Sequence, residues 1–262
     1  MGSNNLFVNF TSESGVFMIY RTSMLVEKYQ PGTKINEYTI LYKLCETKNR
    51  ISFLIEALHH KFVLAIIWEG KQKRKMEEDD SGLDLLAALD HNGIPKWIDR
   101  IDLNGMNGYI LEYIEGKTLE QIVTQENYQF SQNEIYDVCQ KLLDILIYLH
   151  RQNIVHRDIN ISNVILKNNE LHLVNFECAH YIDDSTFKVE DDFSSLGELL
   201  LQLYYSSYQK KRLRRKPWGK RWYNELDVNE RELRFLRRLK GLDERYRSAK
   251  EIQKDFSALL NQ

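Results

Sequence analysis

The segment that most narrows the possible folds runs from Ile154 to Glu177, where short apolar runs bracket a polar loop. Ile154-Val155 leads into His156-Arg157-Asp158-Ile159-Asn160-Ile161-Ser162-Asn163, Val164-Ile165-Leu166 follows, and Leu173-Val174 precedes Asn175-Phe176-Glu177. One carboxylate, Asp158, stands among the amides Asn160, Asn163 and Asn175. Such a residue either ties its own loop together or presents a base to a ligand, and both uses need rigid flanking elements. Immediately upstream, Ser131 and Glu134 have capping-box spacing, and Ile135, Val138, Leu142, Ile145, Leu146 and Leu149 form one apolar stripe. This pattern predicts a helix ending near His150.

Further upstream the texture is strand-like. Tyr38–Tyr42, Ile51–Ala57 and Phe62–Trp68 are short and rich in β-branched or aromatic residues, which predicts three antiparallel strands, and Tyr109–Ile114 predicts another. Leu83, Leu85, Leu86 and Leu89 suggest the end of one helix between them. Downstream, one helix is expected from about Asp192 through Leu203, and another behind the Ser248/Glu251 cap with Ile252, Phe256 and Leu259 on its apolar side. The expected fold is α+β and bilobal: a small antiparallel sheet with one helix over 38–112, and a mainly α-helical lobe over 113–262. Residues 1–37 form an extension whose alternating segments, such as Val16–Tyr20, could add a hairpin to the sheet lobe.

Composition excludes several classes of function. At 262 residues and 43% hydrophobic, the chain buries a core suited to one large domain or two packed lobes. Thirty-six basic against thirty-eight acidic residues give a charge of -2, so no global field favours DNA or a membrane. Cys45, Cys139 and Cys178 are odd in number and widely spaced, which points to reduced thiols and a cytoplasmic setting. The longest apolar run, Phe62 to Trp68, is too short to cross a bilayer, and the first residues lack the pattern of a signal peptide. A myristoylation signal at Gly2 would need Ser or Thr where Leu6 stands. His59, His60, His172 and His180 lack the spacing of a metal site on a helix.

Over roughly residues 38 to 260 the chain resembles the eukaryotic-like protein kinases, through several segments in the right order. The Ile154–Leu166 loop and the Asn175-Phe176-Glu177 turn resemble the catalytic loop and the metal-binding turn. His91–Pro95 resembles the turn after the C-helix, Leu111–Leu119 the hinge, Asp192–Gly197 the start of the F-helix, and Leu242–Ile252 the final helix junction. The resemblance implies Asp158 as base, Asn163 as metal ligand, and Ala65, Leu111, Ile114 and Ile165 as contacts for the adenine of ATP. His156, Phe176 and Asp192 match the residues that link the catalytic loop to the F-helix.

The departures lie where phosphate and magnesium are handled. No glycine occurs between Tyr38 and His60, so Cys45–Arg50 cannot form the usual phosphate-covering loop. Ile67 stands at the strand-lysine position, although Lys48 or Arg50 could substitute from the neighbouring strand. Gly82 stands near the partner glutamate, with Glu77 or Glu78 as alternatives in a shifted register. At the metal turn Asn175 replaces the magnesium-binding acid, and Glu177 replaces a glycine. At 4 Å, Glu177 would repel each triphosphate charge by about 4 kcal/mol at an effective dielectric of 20, unless Asn163, Asn175 and Glu177 hold a metal in a rearranged turn. Asn160 stands where serine kinases keep a phosphate-neutralising lysine. Only seventeen positions separate Asn175 from Asp192, so the peptide-docking segment is short and lacks the glutamate that Arg245 would pair with. Arg157 thereby loses the phosphorylated residue that is its usual partner.

Two functions follow. One is a pseudokinase that regulates or scaffolds a protein partner, needing neither ATP nor Mg2+. The other is a divergent serine/threonine kinase or small-molecule phosphotransferase, which uses ATP and Mg2+ with Asp158 as base. Lys211, Arg212, Arg214, Arg215 and Trp218 form the sharpest basic and aromatic cluster. It is either a solvated loop whose tryptophans pack down, or a docking surface for an acidic protein. The oligomeric state is not encoded in these features.

Overall fold

The computed structural model describes residues 28–47, 50–67, 82–103, 106–183, 186–207, 222–226 and 228–260. Two compact units emerge, one from residues within 1–79 and 97–113, the other from residues within 80–96 and 114–262.

The first unit is a six-stranded antiparallel sheet. Its strands are β1 (Lys34–Ile35), β2 (Tyr38–Glu46), β3 (Arg50–Ala57), β4 (His60–Ile67), β5 (Trp97–Asp102) and β6 (Asn107–Glu112), in the order β1-β2-β3-β4-β6-β5. Ile40, Ile51, Phe53, Ile55, Leu64, Ile66 and Ile110 form the core on one face. Cross-strand partners share a face, so the pairs Arg50↔Ile67, Ser52↔Ala65, Leu54↔Val63, Ala65↔Tyr109 and Val63↔Leu111 define the opposite one. That face is also buried: Leu54 and Ala65 are nearly inaccessible, and Arg50 is only 8% exposed. Burial on both sides explains why β3 reads as a continuous apolar run and not as an alternation. The β3–β4 turn places Leu58 and His59 at φ 49° and 64°, a left-handed pair that Asn-Gly would adopt more easily.

Two expectations for this region need correction. The strand after Tyr109 ends at Glu112, and Ile114 belongs to the second unit. The helix expected before His91 is, among the described residues, a five-residue 3-10 turn over Asp84–Ala88, and it too packs with the second unit. Strand β5 went unpredicted because Trp97-Ile98-Asp99-Arg100 carries charge on an edge, where it meets solvent.

The second unit holds β7 (Lys117–Thr118), α1 (Leu119–Thr124), α2 (Gln132–Arg151), β8 (Ile154–Val155), β9 (Val164–Lys167), β10 (Glu170–Leu173), β11 (His180–Tyr181), α3 (Val189–Ser206), α4 (Glu230–Leu239) and α5 (Ala249–Leu260). The capping box of α2 forms as predicted, with Ser131 and Glu134 each accepting from the other's backbone amide. Every residue of its predicted apolar stripe is at most 2% exposed. Each such side chain contributes about 1.5–3 kcal/mol, so this stripe anchors the unit. Helix α3 starts at Val189, three residues before the expected position, which puts Asp192 inside its first turn. Helix α5 follows the expected Ser248 position, and Asn229 caps the unpredicted α4 by accepting from Arg231 and Glu232 amides.

Candidate functional site

The loop from His156 to Asn163 lies between β8 and β9, and a buried carboxylate fixes its start. Asp192, fully buried in the first turn of α3, accepts from the His156 amide at 3.1 Å and the Arg157 amide at 2.8 Å. It also bonds His150 Nε2 on the last turn of α2 at 2.9 Å. His156 is buried, and burial pushes its pKa down against the pull of Asp192, so the ring is neutral. Its Nδ1 accepts from the Asp158 amide at 3.2 Å, which leaves the proton on Nε2 to donate to the Val174 carbonyl at 3.2 Å. The ring also meets buried Phe176 edge-on, with centroids 4.7 Å apart. Three elements thus hold the loop before any ligand arrives.

Asp158 sits at the centre of an amide cage. Asn160 Nδ2 donates to its Oδ1 at 2.8 Å, while Asn163 Nδ2 and Asn175 Nδ2 donate to its Oδ2 at 2.7 and 3.1 Å. Asn163 Nδ2 also reaches the Asp158 carbonyl at 2.8 Å, and Asn175 Nδ2 reaches Asn163 Oδ1 at 3.3 Å. Asn160 Oδ1 turns the loop by accepting from the amides of Ser162 and Asn163. Charge-assisted bonds of this kind contribute about 1.5–3 kcal/mol each. These bonds tie the loop together through Asp158. Asn175 adopts φ 69° and ψ 63°, a left-handed conformation that asparagine tolerates well. Glu177 follows in the half-buried 3-10 turn Phe176–Cys178.

The donor set does not fit magnesium as it stands. Magnesium requires an octahedron of oxygen ligands, favouring charged ones. Here amide nitrogens cover both oxygens of Asp158, and the Asn163 oxygen expected at the metal accepts an N–H from Asn175. Among the described residues no group of three or more His, Cys, Asp or Glu side chains could hold a metal ion.

Gly82 occupies a place where no side chain fits. A Cβ there would lie 2.1 Å from the Phe176 carbonyl oxygen and 2.7 Å from that of Ala179. Position 82 therefore packs its main chain directly on the turn that carries Glu177. The sequence shows only a missing glutamate at this point, because the contact spans almost a hundred residues.

Arg157 has found another partner. Its guanidinium lies 4.2 Å from the Phe187 ring centroid and donates to the Cys178 carbonyl at 3.2 Å. His180 covers Phe187 with centroids 3.9 Å apart, and Asp183 accepts from the amides of Thr186 and Phe187. A lone phenylalanine in a polar stretch was the available signal for this stack. Arg245 is exposed and forms no ion pair among the described residues.

Ala65 and Leu111 share one face of the sheet, as their register requires, and Arg50 lies on it too, donating to Cys45 Sγ at 3.4 Å. Ile165 on β9 and buried Ile114 belong to the second unit. Lys48, Glu77, Glu78, Lys211, Arg212, Arg214, Arg215 and Trp218 lie outside the described residues. Cys45, Cys139 and Cys178 are all free thiols, and among the described residues no helix is long and apolar enough to cross a membrane.

Comparison with known proteins places this geometry. Residues 56–196, more than half of the chain, match the protein kinase domain. The probable serine/threonine-protein kinase YbdM of Bacillus subtilis (strain 168) is 30% identical over 194 residues, covering 72% of this chain and 74% of that protein. The serine/threonine-protein kinase CG17528 of Drosophila melanogaster is 32% identical over 153 residues, 56% of this chain and 20% of its own length, so this chain spans only a fraction of that relative. The crystal structure of the PF14_0431 kinase domain superposes with a TM-score of 0.65 at 16% identity, covering 87% of this chain and 97% of its own, and shares the fold. The sheet, the helical unit and the loop held by Asp192 thus have a common origin: the chain belongs to the protein kinase family.

Proposed function

We propose that this family member is a pseudokinase, a regulatory or scaffolding module with weak or absent ATP binding. The observation that carries this reading is the amide cage: both oxygens of Asp158 are engaged, and one of the three donors, Asn175, stands where a magnesium-binding acid is expected. Neither ATP nor Mg2+ is then required. The main chain of Gly82 against the magnesium turn supports the same reading, because it denies space to a glutamate at that position. The lobes are proposed to divide at residues 38–112 and 113–262. The partner is proposed to be a cytoplasmic protein with an acidic surface, engaged through Lys211, Arg212, Arg214, Arg215 and Trp218.

A second reading keeps an enzyme. Asp158 and Asn163 are both present and bonded at 2.7 Å, and the similar proteins are named as serine/threonine kinases. On this reading Asp158 is the base of a divergent kinase or small-molecule phosphotransferase, with ATP and Mg2+ as cofactors. Calorimetric titration of ATP with and without magnesium separates the two. The pseudokinase reading expects no magnesium-dependent heat, and tight magnesium-dependent binding overturns it. Transfer of radiolabel from ATP that disappears in Asp158→Ala establishes the enzyme.

A further inference from the structure

The helical unit carries a recess that shares no residue with the Asp158 loop. It is a cavity of about 170 Å3 between the start of α3 and the segment that follows α4, and both walls belong to the same unit. At about 30 Å3 for each water, it takes about five or six waters or one small molecule. Buried Phe193, Leu239 and Tyr246 line it with apolar surface.

Its charged groups fall into two sets. Arg238 is satisfied by Glu251 at 2.7 Å and Asp255 at 2.9 Å, and Lys240 by Glu198 at 2.7 Å. Glu190 and Asp191 in the first turn of α3, and Arg245 beyond α4, line the same cavity, yet none of these three forms an ion pair or a side-chain hydrogen bond among the described residues. They do not meet one another because separate elements hold them. The Arg245 guanidinium lies on the bare main chain of Gly241, where a Cβ would come within 2.8 Å of its Nε. Gly241 also adopts φ 65°, a left-handed turn that glycine takes without strain, so the perch and the turn need the same residue. A guanidinium and two carboxylates held apart across an apolar recess leave two demands open: a planar anion for Arg245 and a cation for the acids.

We infer that this cavity binds a small zwitterion, a free α-amino acid with an aliphatic side chain. The α-carboxylate meets Arg245, the α-ammonium meets Glu190 and Asp191, and the side chain lies on Phe193, Leu239 and Tyr246. A residue inside a polypeptide has neither charge, so a segment of a protein does not satisfy both walls. The inference goes beyond the pseudokinase reading and does not rest on it, because the cavity and the Asp158 loop have no residue in common.

The test is calorimetric titration of the full chain with L-leucine and with its two halves. 4-Methylpentanoate lacks the ammonium group, and 3-methylbutylamine lacks the carboxylate. L-leucine is expected to bind, and each half at least about tenfold more weakly, since each leaves one wall unmatched. Arg245→Gln should weaken L-leucine by about tenfold or more and leave 3-methylbutylamine unchanged. Glu190→Gln combined with Asp191→Asn should weaken L-leucine likewise and leave 4-methylpentanoate unchanged. Arg245 is exposed, so Arg245→Gln should melt as wild type does. Should the double variant fail to fold, Arg245→Gln and the two half-ligands decide the matter. The inference is overturned by the absence of heat with millimolar L-leucine, or by L-leucine binding that Arg245→Gln leaves intact. 4-Methylpentanoate binding as tightly as L-leucine overturns it too, by showing a site for a carboxylate alone.

Discussion

Single residues decide how the His156–Asn163 loop and the turn after Asn175 are held. Gly82 is the sharpest case, because a Cβ at that position would come within 2.1 Å of the Phe176 carbonyl oxygen, a main-chain atom that cannot swing aside as a flexible side chain would. Gly82→Ala is expected to cost about 1–3 kcal/mol through overpacking, read as a lower urea midpoint. A midpoint equal to wild type would contradict the contact. At Asp158 the sequence was informative about chemistry and silent about geometry. The amides at 160, 163 and 175 were visible, but their convergence on one carboxylate depends on a turn at Asn160 and a left-handed residue at Asn175. The stack of Arg157 on Phe187 was equally hidden, since it joins residues thirty positions apart.

Elements were legible where periodicity and caps agreed. Helix α2 followed its apolar stripe and its box almost to the residue, because burial and local bonding favour the same boundaries. Glu134 is held below its ordinary pKa of 4.5 by the Ser131 hydroxyl, then by the Tyr128 hydroxyl and the Ser131 amide. A depressed carboxyl contributes stability that is present above its ordinary pKa and lost as pH falls through its folded value. Glu134→Gln should therefore flatten the acid limb of a stability profile, and an unchanged limb would exclude this role. Helix α4 escaped notice because its charged surface masks the apolar positions Phe235, Leu236 and Leu239, and because a buried acid, Glu232, faces inward. Glu232 accepts from Gln132 at 2.8 Å, from Tyr136 at 2.9 Å and from Tyr204, joining α2, α3 and α4. Burial, and then the bond to Glu232, push both tyrosine hydroxyls well above their usual pKa. Glu232→Ala leaves the buried Tyr204 hydroxyl and the half-buried Tyr136 hydroxyl without this acceptor and should cost about 3 kcal/mol in chemical denaturation. A loss under 1 kcal/mol would show that water replaces the carboxylate.

At the scale of the whole molecule, each unit carries its own core: Ile40, Ile51, Phe53, Ile55, Leu64, Ile66 and Ile110 in the sheet, and the α2 stripe in the helical unit. Ile55→Ala should cost about 2–5 kcal/mol, with faster amide exchange concentrated in β2 to β6. Equal acceleration throughout α2 would mean that the chain opens as one cooperative body. The six-stranded sheet was only partly legible, because strands buried on both faces lose the alternation that marks a half-exposed strand. Gly82 bears on any attempt to engineer this chain. Installing an acidic side chain at that position cannot succeed as a one-codon change, since the obstacle is the path of the polypeptide itself. Rerouting the segment ahead of Leu83 would have to come first.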